Sequence, residues 1–513
     1  MIATLYFKLL VFFDLLFWFD QDAIWFLKPV DAIHADPLLP LQTVWSLQPQ
    51  RSLLNHTWVE TQQEQSLRHL LANVNPVGTR RGFIAASPSK VNPDYFYTWT
   101  RDASLVSYAV ATLLDQQQQL SHGTNDLTEK MDLNQVLYDY VDFQIHTQHT
   151  VDRTPCQCLG EPKFNADGSP YVNVWGRPQN DGPAERAIAM IQFANVLVEQ
   201  NTDTIPLDYI KTTLKPAIYL DLDYVVRSWK EPCFDLWEEI KGIHFYTLMV
   251  MRRGLLDGSD FARKHDDSKR THLYRHFARR IEQRLLTFWS SSDNYIKVTQ
   301  DQVQGQQKPS GLDISILLAA NLAAPLKDGF FTPDSDKILA TAKALEDAFA
   351  NLYPLNTNKR NDGNDNAATA MGRYPEDRYD GYGLSIGNPW FLATTAMAEL
   401  YYLAMMAWQH QGGVEVTDIN HGFFKQRDPT VELGHFYEVN HSDFDALRHS
   451  LASDADRFLM TVQYHQGLDG ALSEQYNRDT GFLQGASHLT WSYASLISAL
   501  HTRGQFYSDS SDS

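Results

Sequence analysis

Three carboxylates and a tryptophan lie within five positions of this sequence, at Asp235, Trp237, Glu238 and Glu239. The residues that follow, 242–256, space their apolar side chains as a helix does, which predicts that the acidic cluster begins that helix. Acidic residues at a helix N-terminus can simply cap the helix and complement its dipole. Crowding and partial burial can also raise the pKa of a carboxyl group, which is how proteins make a general acid. The cluster therefore predicts either a capped helix start or one half of a catalytic site.

Several loops and helix starts carry polar and aromatic residues that turn formation alone does not explain. Arg101 and Asp102 follow the aromatic run 95–99, and their adjacent charges could hold sugar hydroxyl groups through charge-assisted hydrogen bonds. Trp175 stands in a loop whose Gly, Pro and Asn residues account for the turn but not for the tryptophan. Arg373 occupies a similar loop. These residues are candidates for a binding surface.

Signatures of several other chemistries are missing from the sequence. It has no HExxH or Walker A motif, and no GxGxxG opening a helix, so we predict no metal site and no cofactor. The Asn- and Asp-rich tract 361–366 lacks the ligand spacing of an EF-hand and predicts a loop. Glu474, judged by its neighbours alone, is an ordinary loop glutamate. Paired carboxylates with aromatic side chains remain, and that combination cleaves glycosidic bonds.

Composition limits the class of partner. The 513 residues carry a net charge of -19, which argues against nucleic acid because phosphate binding needs clustered Lys and Arg. The apolar fraction of 43% is that of a globular protein with a sizeable core. The three cysteines, Cys156, Cys158 and Cys233, are an odd number and predict simple thiols without a disulfide framework.

The first 35 residues differ from the rest of the chain. Their apolar run is interrupted by Asp14, so it is a poor membrane-spanning helix and a better secretory signal. We predict a secreted protein without stable membrane insertion, with a vacuolar location or an uncleaved leader that anchors the chain as alternatives. The sequons at Asn55 and Asn440 are compatible with secretion. Residues 36–513 are predicted to form one catalytic domain, and we expect a monomer.

From residue 61 onward the dominant period is helical, and strand patterns are scarce (82–86, 95–98 and 295–298). This predicts an all-α fold. Twelve helices can stack as six hairpins in two concentric rings, although periodicity alone does not choose this toroid over a looser array. The predicted helices are 65–74, 102–114, 133–145, 181–198, 206–226, 242–256, 261–289, 312–322, 335–352, 390–410, 444–462 and 489–501.

Eight short stretches, taken in order along the chain, resemble the glucoamylase family, glycoside hydrolase family 15. The resemblance implies an (α/α)6 toroid of six inner and six outer helices. It also implies release of β-D-glucose from the non-reducing ends of starch, glycogen or malto-oligosaccharides, by inverting hydrolysis of α-1,4 bonds and slower hydrolysis of α-1,6 bonds. The matching stretches are 95–102, 160–164, 175–183, 235–239, 372–377, 387–390, 473–476 and 490–493.

The resemblance also implies roles for individual residues. Glu238 matches the general acid, Glu474 the general base, and Asp235 an aspartate that supports the acid and is the alternative base. Asp235 and Glu238, three apart on a helix start, would have Cβ atoms about 5–6 Å apart. An inverting pair needs about 6.5–9.5 Å between its carboxyl groups, which favours Glu474 as base. The positions that match the first sugar subsites are Tyr95, Trp99, Arg101, Asp102, Trp175, Leu236, Trp237, Glu239, Arg373 and Trp491.

The sequence departs from the family pattern at Lys241 and Glu185, which add charge near the pocket, and the common cysteine pairs are missing. Only about a dozen polar residues follow Leu500, so we expect no starch-binding domain. Two alternatives stay open: a trehalase or other glucosidase of the same fold, since fold does not determine substrate, and a non-catalytic glucan-binding protein. Intact Glu238 and Glu474 argue against the second.

Overall fold

The computed structural model describes residues 54–120, 132–200, 204–358 and 367–509. The predicted leader (1–35) and the tract 361–366 lie outside the described residues. Within them, twelve α-helices have nine residues or more, and three are shorter. In chain order they are α1 (His56–Ala72), α2 (Thr100–Leu120), α3 (Leu133–Gln148), α4 (Asp181–Gln200), α5 (Thr204–Tyr209), α6 (Lys215–Ser228), α7 (Phe245–Lys264), α8 (Ser268–Leu285), α9 (Ser315–Ala323), α10 (Asp336–Ala350), α11 (Pro354–Asn358), α12 (Phe391–Gln411), α13 (His421–Lys425), α14 (Ser442–His465) and α15 (Thr490–Asp509).

The long helices form two concentric rings. Helices α2, α4, α7, α9, α12 and α15 contact one another in that order, and α15 closes the cycle on α2. Each inner helix carries one outer helix: α3 packs on α2, α6 on α4, α8 on α7, α10 on α9, α14 on α12 and α1 on α15. Inner and outer helices thus alternate along the chain. The predicted (α/α)6 toroid is confirmed.

Apolar patterning explains which helices lie inside. Helix α12 is apolar around most of its circumference and buries 14 of its residues, as expected of a helix with neighbours on every side. Helix α8 buries only Tyr274, Ala278, Ile281 and Leu285, which share one face at helical spacing. Its other face is charged and lies toward solvent. One-sided patterning therefore places α8 in the outer ring.

Short strands organise the loops between helices. They pair antiparallel, as β1 with β2, β3 with β4 and β4 with β7, β5 with β6, β8 with β9, and β10 with β11. The strands are β1 (Thr98–Trp99), β2 (Lys163–Phe164), β3 (Cys233–Phe234), β4 (Ile240–His244), β5 (Trp289–Ser290), β6 (Tyr295–Ile296), β7 (Thr299–Gly305), β8 (Gly413–Glu415), β9 (Phe436–Glu438), β10 (Gln475–Tyr476) and β11 (Leu483–Gln484). Strands β1 and β4 lead directly into inner helices, so they hold the loops at one end of the ring.

The prediction that the acidic cluster begins a helix is wrong. Helix α7 begins only at Phe245, and the cluster forms the turn between β3 and β4. The Asp235 carboxylate closes this turn by accepting hydrogen bonds from the backbone N–H groups of Glu239 and Ile240, at 2.8 and 3.0 Å. Glu238 adopts a left-handed φ of 67° there. A side chain that bonds its own backbone competes with helix formation, and pairing of β4 with β7 completes the strand.

Other boundaries also differ from the predictions. The predicted helix 261–289 covers the end of α7 and the whole of α8. Helical structure stops after Lys264, and α8 starts anew at Ser268, where Asp267 caps it by accepting a hydrogen bond from the backbone N–H of Arg270. The π-helical segment Ile210–Leu214 divides the predicted helix 206–226. The predicted strand 82–86 forms only an isolated bridge at Ile84.

The cysteine prediction fails in part. Cys156 and Cys158 form a disulfide, whereas Cys233 is free and buried. A local turn brings the first two Cα atoms to 5.2 Å, within the normal range for a disulfide, and sequence spacing does not reveal such a turn. Both sequon asparagines, Asn55 and Asn440, are exposed. No helix in the described ranges combines the length and apolarity needed to cross a bilayer.

Candidate active site

The loops that enter the inner helices supply a cluster of carboxylates, indoles and guanidinium groups at one end of the toroid. Each of the six inner helices contributes through its first turn or the loop before it. The contributors are Trp99, Arg101 and Asp102 at α2, Trp175 and Gln179 before α4, Glu238 and Glu239 before α7, Asp313 before α9, Arg373 and Trp390 before α12, and Glu474 and Trp491 at α15.

Glu238 is held by three N–H donors that all reach the same oxygen. Oε1 accepts from Trp99 Nε1 at 2.6 Å, from Trp175 Nε1 at 2.8 Å and from Gln179 Nε2 at 2.8 Å. No hydrogen bond from the described residues reaches Oε2. This arrangement orients the carboxyl group and leaves Oε2 available to carry and release a proton.

A buried lysine supports the same two indoles. Lys163 Nζ lies 3.7 Å from the ring centroid of Trp175 and 4.6 Å from that of Trp99, with Tyr97 and Tyr171 at 4.0 and 4.3 Å. Burial lowers the pKa of Lys163 to about 8, although the Glu238 carboxylate acts in the opposite direction. A cation on these rings strengthens their packing. Lys163 thereby fixes the indoles that donate to Glu238.

Asp235 lies at the base of the turn and stays ionised. Burial by itself raises the pKa of Asp235, but Lys308, His244 and the backbone N–H groups of Ile240 and Glu239 outweigh it, so the pKa is lowered. Lys308 Nζ donates to Asp235 Oδ2 at 3.4 Å. With its Oδ1 occupied by backbone donors, Asp235 braces the turn that presents Glu238.

Arg101 and Asp102 form a buried charged group beside Glu238. Arg101 donates to Asp102 Oδ1 at 3.1 Å, to Gln179 Oε1 at 2.8 Å and to Asp181 Oδ2 at 3.3 Å. Burial raises the pKa of Asp102 to about 6; Arg101 opposes this shift and the Glu238 carboxylate adds to it. Gln179 therefore links this group directly to Glu238.

A second charged group surrounds Glu239. Arg373 donates to Glu239 Oε1 at 2.8 Å, and Tyr374 donates to Oε2 at 2.6 Å. Two further Arg373 hydrogen bonds, of 2.8 and 2.6 Å, go to the buried Asp377. Gln306 Nε2 also donates to Glu239 Oε2 at 2.9 Å. This pairing is charge-assisted and directional, and it holds Glu239 away from an acid–base role.

Indoles form the floor between these groups. Trp237 Nε1 donates to both oxygens of Asp313 at 3.0 and 3.1 Å, and its ring stacks with that of Trp491 at a centroid distance of 6.3 Å. The ring of Trp390 also packs against that of Trp237, at a centroid distance of 5.6 Å. The Arg101 guanidinium lies 5.7 Å from the Trp491 ring centroid. Apolar faces between polar edges suit a sugar ring, which has both.

Glu474 occupies a different environment from Glu238. It is only 1% exposed, and burial raises its pKa to about 7, while the hydroxyl groups of Tyr95 and Tyr379 and the charge of Arg373 lower it. Its Oε2 has no geometrically well-formed hydrogen bond among the described residues. A Cβ atom added to Gly485 would lie 2.5 Å from that oxygen, so the backbone at this glycine packs directly against the Glu474 carboxyl group.

Aromatic side chains connect the two carboxyl groups. Trp99, which donates to Glu238, lies 5.6 Å from Tyr95 between ring centroids. The hydroxyl group of Tyr95 lies 2.9 Å from that of Tyr379, and both hydroxyls act on Glu474. Residues from two loops more than two hundred positions apart thus belong to one site.

The structure brings together the carboxylates and subsite residues named from the sequence, with one qualification for Leu236, whose side chain is 3% exposed and belongs to the core. Several contributors were not named from the sequence. Lys163, Gln179, Tyr374 and Trp390 fall inside stretches that resembled the family, so only their roles were overlooked. Lys308, Asp313 and Tyr379 fall outside those stretches, and no pattern around them signals a site. In the described ranges no group of His, Cys, Asp and Glu is arranged to hold a metal ion.

Comparison with known proteins agrees with this geometry. The sequence profile of the family described as glycosyl hydrolases family 15 matches residues 64–501. The chain is 50% identical to glucoamylase 1 of Rhizopus oryzae over 447 residues, which cover 87% of this chain and 71% of that protein. A family 15 glucoamylase structure from Hypocrea jecorina superposes with a TM-score of 0.77 at 33% identity, over 88% of this chain and 72% of that one. The glucoamylase of Saccharomycopsis fibuligera gives 0.77 at 29%, over 91% and 98%. The chain belongs to glycosyl hydrolase family 15.

Proposed function

We propose that this protein is a glucoamylase that releases β-D-glucose from the non-reducing ends of starch, glycogen or malto-oligosaccharides. The observation that supports this most directly is the pair Glu238 and Glu474. They lie in two environments of one aromatic site, and relatives named glucoamylase span most of the chain. Glycosidases need two carboxyl groups with separate duties.

Glu238 acts as the general acid. Its Oε2 gives a proton to the oxygen of the breaking glycosidic bond, and the three N–H donors on Oε1 stabilise the carboxylate that results. Hydrogen bonds that favour the ionised form strengthen as the proton leaves, so they act on the transition state. Trp99, Trp175 and Gln179 therefore position the acid and assist the proton transfer.

Glu474 acts as the general base. Its carboxylate accepts a proton from a water molecule that attacks the anomeric carbon from the face opposite the leaving group. This step inverts the configuration. Asp235, the alternative base, is already occupied by backbone N–H groups and Lys308, which supports its role as a brace for the acid.

The remaining polar groups bind the first sugar units. Arg101, Asp102 and Arg373 contact sugar hydroxyl groups, and Tyr95, Trp237 and Trp491 provide ring faces. Glu239 and the main chain of Leu236 complete the subsite. The same pocket accepts both linkages, and it cleaves α-1,6 bonds more slowly than α-1,4 bonds. We further propose that the chain is secreted as a monomer, which mass spectrometry of its mature N-terminus and light scattering would test.

Glucose release distinguishes the candidate functions. Purified protein is incubated with maltose, maltoheptaose, isomaltose and trehalose, and the anomer first formed is identified by proton NMR. The expected result is β-D-glucose, fastest from maltoheptaose and slower from isomaltose. Release from trehalose alone would indicate a trehalase, and no release from any substrate would leave a glucan-binding protein. A first product with α configuration would contradict inversion.

A further inference from the structure

The six inner helices enclose a second cavity below the proposed active site. Its volume is about 810 Å³, and its wall includes side chains from α2, α4, α7, α9, α12 and α15. Along α15 the wall extends from Trp491 to Asp509, about 27 Å at 1.5 Å per residue. We call this cavity the lumen. Its size lies in the range of about 300–1,000 Å³ that is typical of small-molecule sites.

A belt of polar side chains lies part of the way down the lumen. Glu399 of α12 accepts hydrogen bonds from Ser498 of α15 and from Asn321 of α9, the latter at 3.3 Å. Arg253 of α7 donates to the hydroxyl group of Tyr108 at 3.0 Å. All five residues line the lumen. Groups from five of the six inner helices therefore meet at this level.

Glu399 is the unusual member of this belt. A carboxylate has about four acceptor positions, and the described residues give Glu399 only two hydrogen bonds, with no cation to balance it. Burial raises the pKa of Glu399 to about 7, partly offset by Ser498 and Asn321. A buried carboxyl group without a charge partner is costly and is often functional. The mechanism above does not use it.

The rest of the wall indicates which ligands fit. Between the polar groups the wall is aliphatic, as at Leu105, Leu318 and Leu403. Arg253 is already engaged by Asp257 and Tyr108, and burial lowers the pKa of His501 to about 4, so neither offers a free positive charge. An anion would face the carboxylates of Asp115, Asp334, Glu399 and Asp509 in the wall, against the single lysine of the lining, Lys327. Aliphatic faces with hydroxyl and carboxyl edges match a neutral polyhydroxylated molecule.

We propose that the lumen is a second binding site, for a neutral polyol of monosaccharide size. Its hydroxyl groups bond to Glu399, Ser498 and Asn321, and its C–H faces pack on the aliphatic wall. Trp491 borders the lumen and also stacks on Trp237, so a bound polyol would touch the floor of the proposed active site. The proposal is independent of the roles given to Glu238 and Glu474.

Calorimetric titration with D-glucose tests this site by comparing how many D-glucose molecules two forms of the protein bind. The full chain is compared with Leu403→Trp, which fills the lumen without changing any residue of the proposed active site. We expect the wild-type protein to bind one more D-glucose per chain than the variant. Equal numbers of bound D-glucose would overturn the proposal. A far-UV circular dichroism spectrum and a cooperative thermal transition like those of the wild type show that the variant folds. If Leu403→Trp does not fold, Ala407→Trp is used in its place.

Substitutions at Glu399 test the contacts, again by titration with D-glucose. Glu399→Leu should weaken the additional site by about tenfold or more, since it removes a hydrogen-bond acceptor from a buried site. Glu399→Gln keeps the shape and should bind within about threefold of wild type, as should Gln411→Leu at the rim of the lumen. Unchanged binding by Glu399→Leu would contradict the assignment.

D-Glucose 6-phosphate tests the class of ligand. The acidic wall should exclude it, so the wild-type protein and Leu403→Trp are expected to bind it in equal numbers. One additional D-glucose 6-phosphate in the wild-type protein would show that the lumen accepts anions and would overturn the neutral class. Because these titrations count bound molecules, their outcome is separate from whether glucans are hydrolysed.

Discussion

Two loops of this molecule each present a glutamate to the same site, and they do so in opposite ways. Glu238 stands in a strained turn, surrounded by N–H donors and only partly exposed. Glu474 is almost fully buried, contacts tyrosine hydroxyl groups and has an oxygen without a well-formed hydrogen bond. Chemically identical side chains thereby acquire different environments. Three N–H donors orient Glu238 and would stabilise the carboxylate left after proton release, whereas Glu474 is buried, and the hydroxyl groups of Tyr95 and Tyr379 and the charge of Arg373 favour its ionised form.

The largest expected effect is loss of either glutamate. Glu238→Gln and Glu474→Gln should each lower kcat on maltoheptaose by about 100- to 10,000-fold, because general acid–base groups contribute that much. Azide should restore turnover to Glu474→Ala, where it replaces the activated water, but not to Glu238→Ala. Initial rates of glucose release, with and without azide, measure both.

Asp235→Asn serves as the comparison for these variants. We expect partial loss of kcat and no rescue by azide, since Asp235 braces the turn. If Glu474→Gln kept near-native turnover while Asp235→Asn lost it, the base would be Asp235.

Removing one donor from Glu238 has a smaller expected effect. Trp175→Phe keeps the aromatic ring over Lys163 but loses the N–H at 2.8 Å from Oε1. A hydrogen bond to a charged group contributes about 1.5–3 kcal/mol, so kcat should fall by about 10- to 100-fold with little change in KM. Trp289→Phe, in β5, is the control and should retain full kcat. A change in KM alone would indicate that Trp175 only binds substrate.

One methyl group added at Gly485 would displace the Glu474 carboxyl group. Gly485→Ala places a Cβ 2.5 Å from Oε2 at a residue whose φ is 74°, where an L side chain costs about 1–2 kcal/mol. We expect kcat to fall on the order of tenfold and Tm to drop by a few degrees. Gly383→Ala, where nothing lies within 4 Å, should change neither. Native kcat in Gly485→Ala would show that catalysis does not depend on this position of the Glu474 carboxyl group.

The smallest expected effect is a shift in pH dependence. A base must be ionised to act, so activity should fall as pH decreases through the pKa of Glu474, which lies at about 7. The Tyr379 hydroxyl lowers that pKa, so Tyr379→Phe should raise it and move the acidic limb of kcat/KM to higher pH. Tyr374→Phe, which contacts Glu239, should leave the limb in place. If the acidic limb does not move in Tyr379→Phe, the loss of activity at low pH is not caused by protonation of Glu474.

Prediction from the sequence succeeded where the signal is local. Helical spacing of apolar residues located all twelve long helices, in most cases to within a few residues. This signal is local, because a helix that buries one face must repeat apolar residues every three or four positions. It failed at the acidic cluster, where Asp235 bonds its own backbone and β4 pairs with β7, a strand sixty residues away. It also failed at the Cys156–Cys158 disulfide, since a turn is not visible in cysteine spacing.

The sequence by itself determined the helical fold, the family pattern and the identity of the carboxylates in the proposed active site. Only the tertiary structure decided what surrounds each of them. Lys163, Gln179 and Tyr379 reach the site from separate loops, and the closed ring of inner helices creates the lumen around Glu399. The physical reason is that pKa values, donor geometry and cavities depend on atoms that are close in space and distant in sequence.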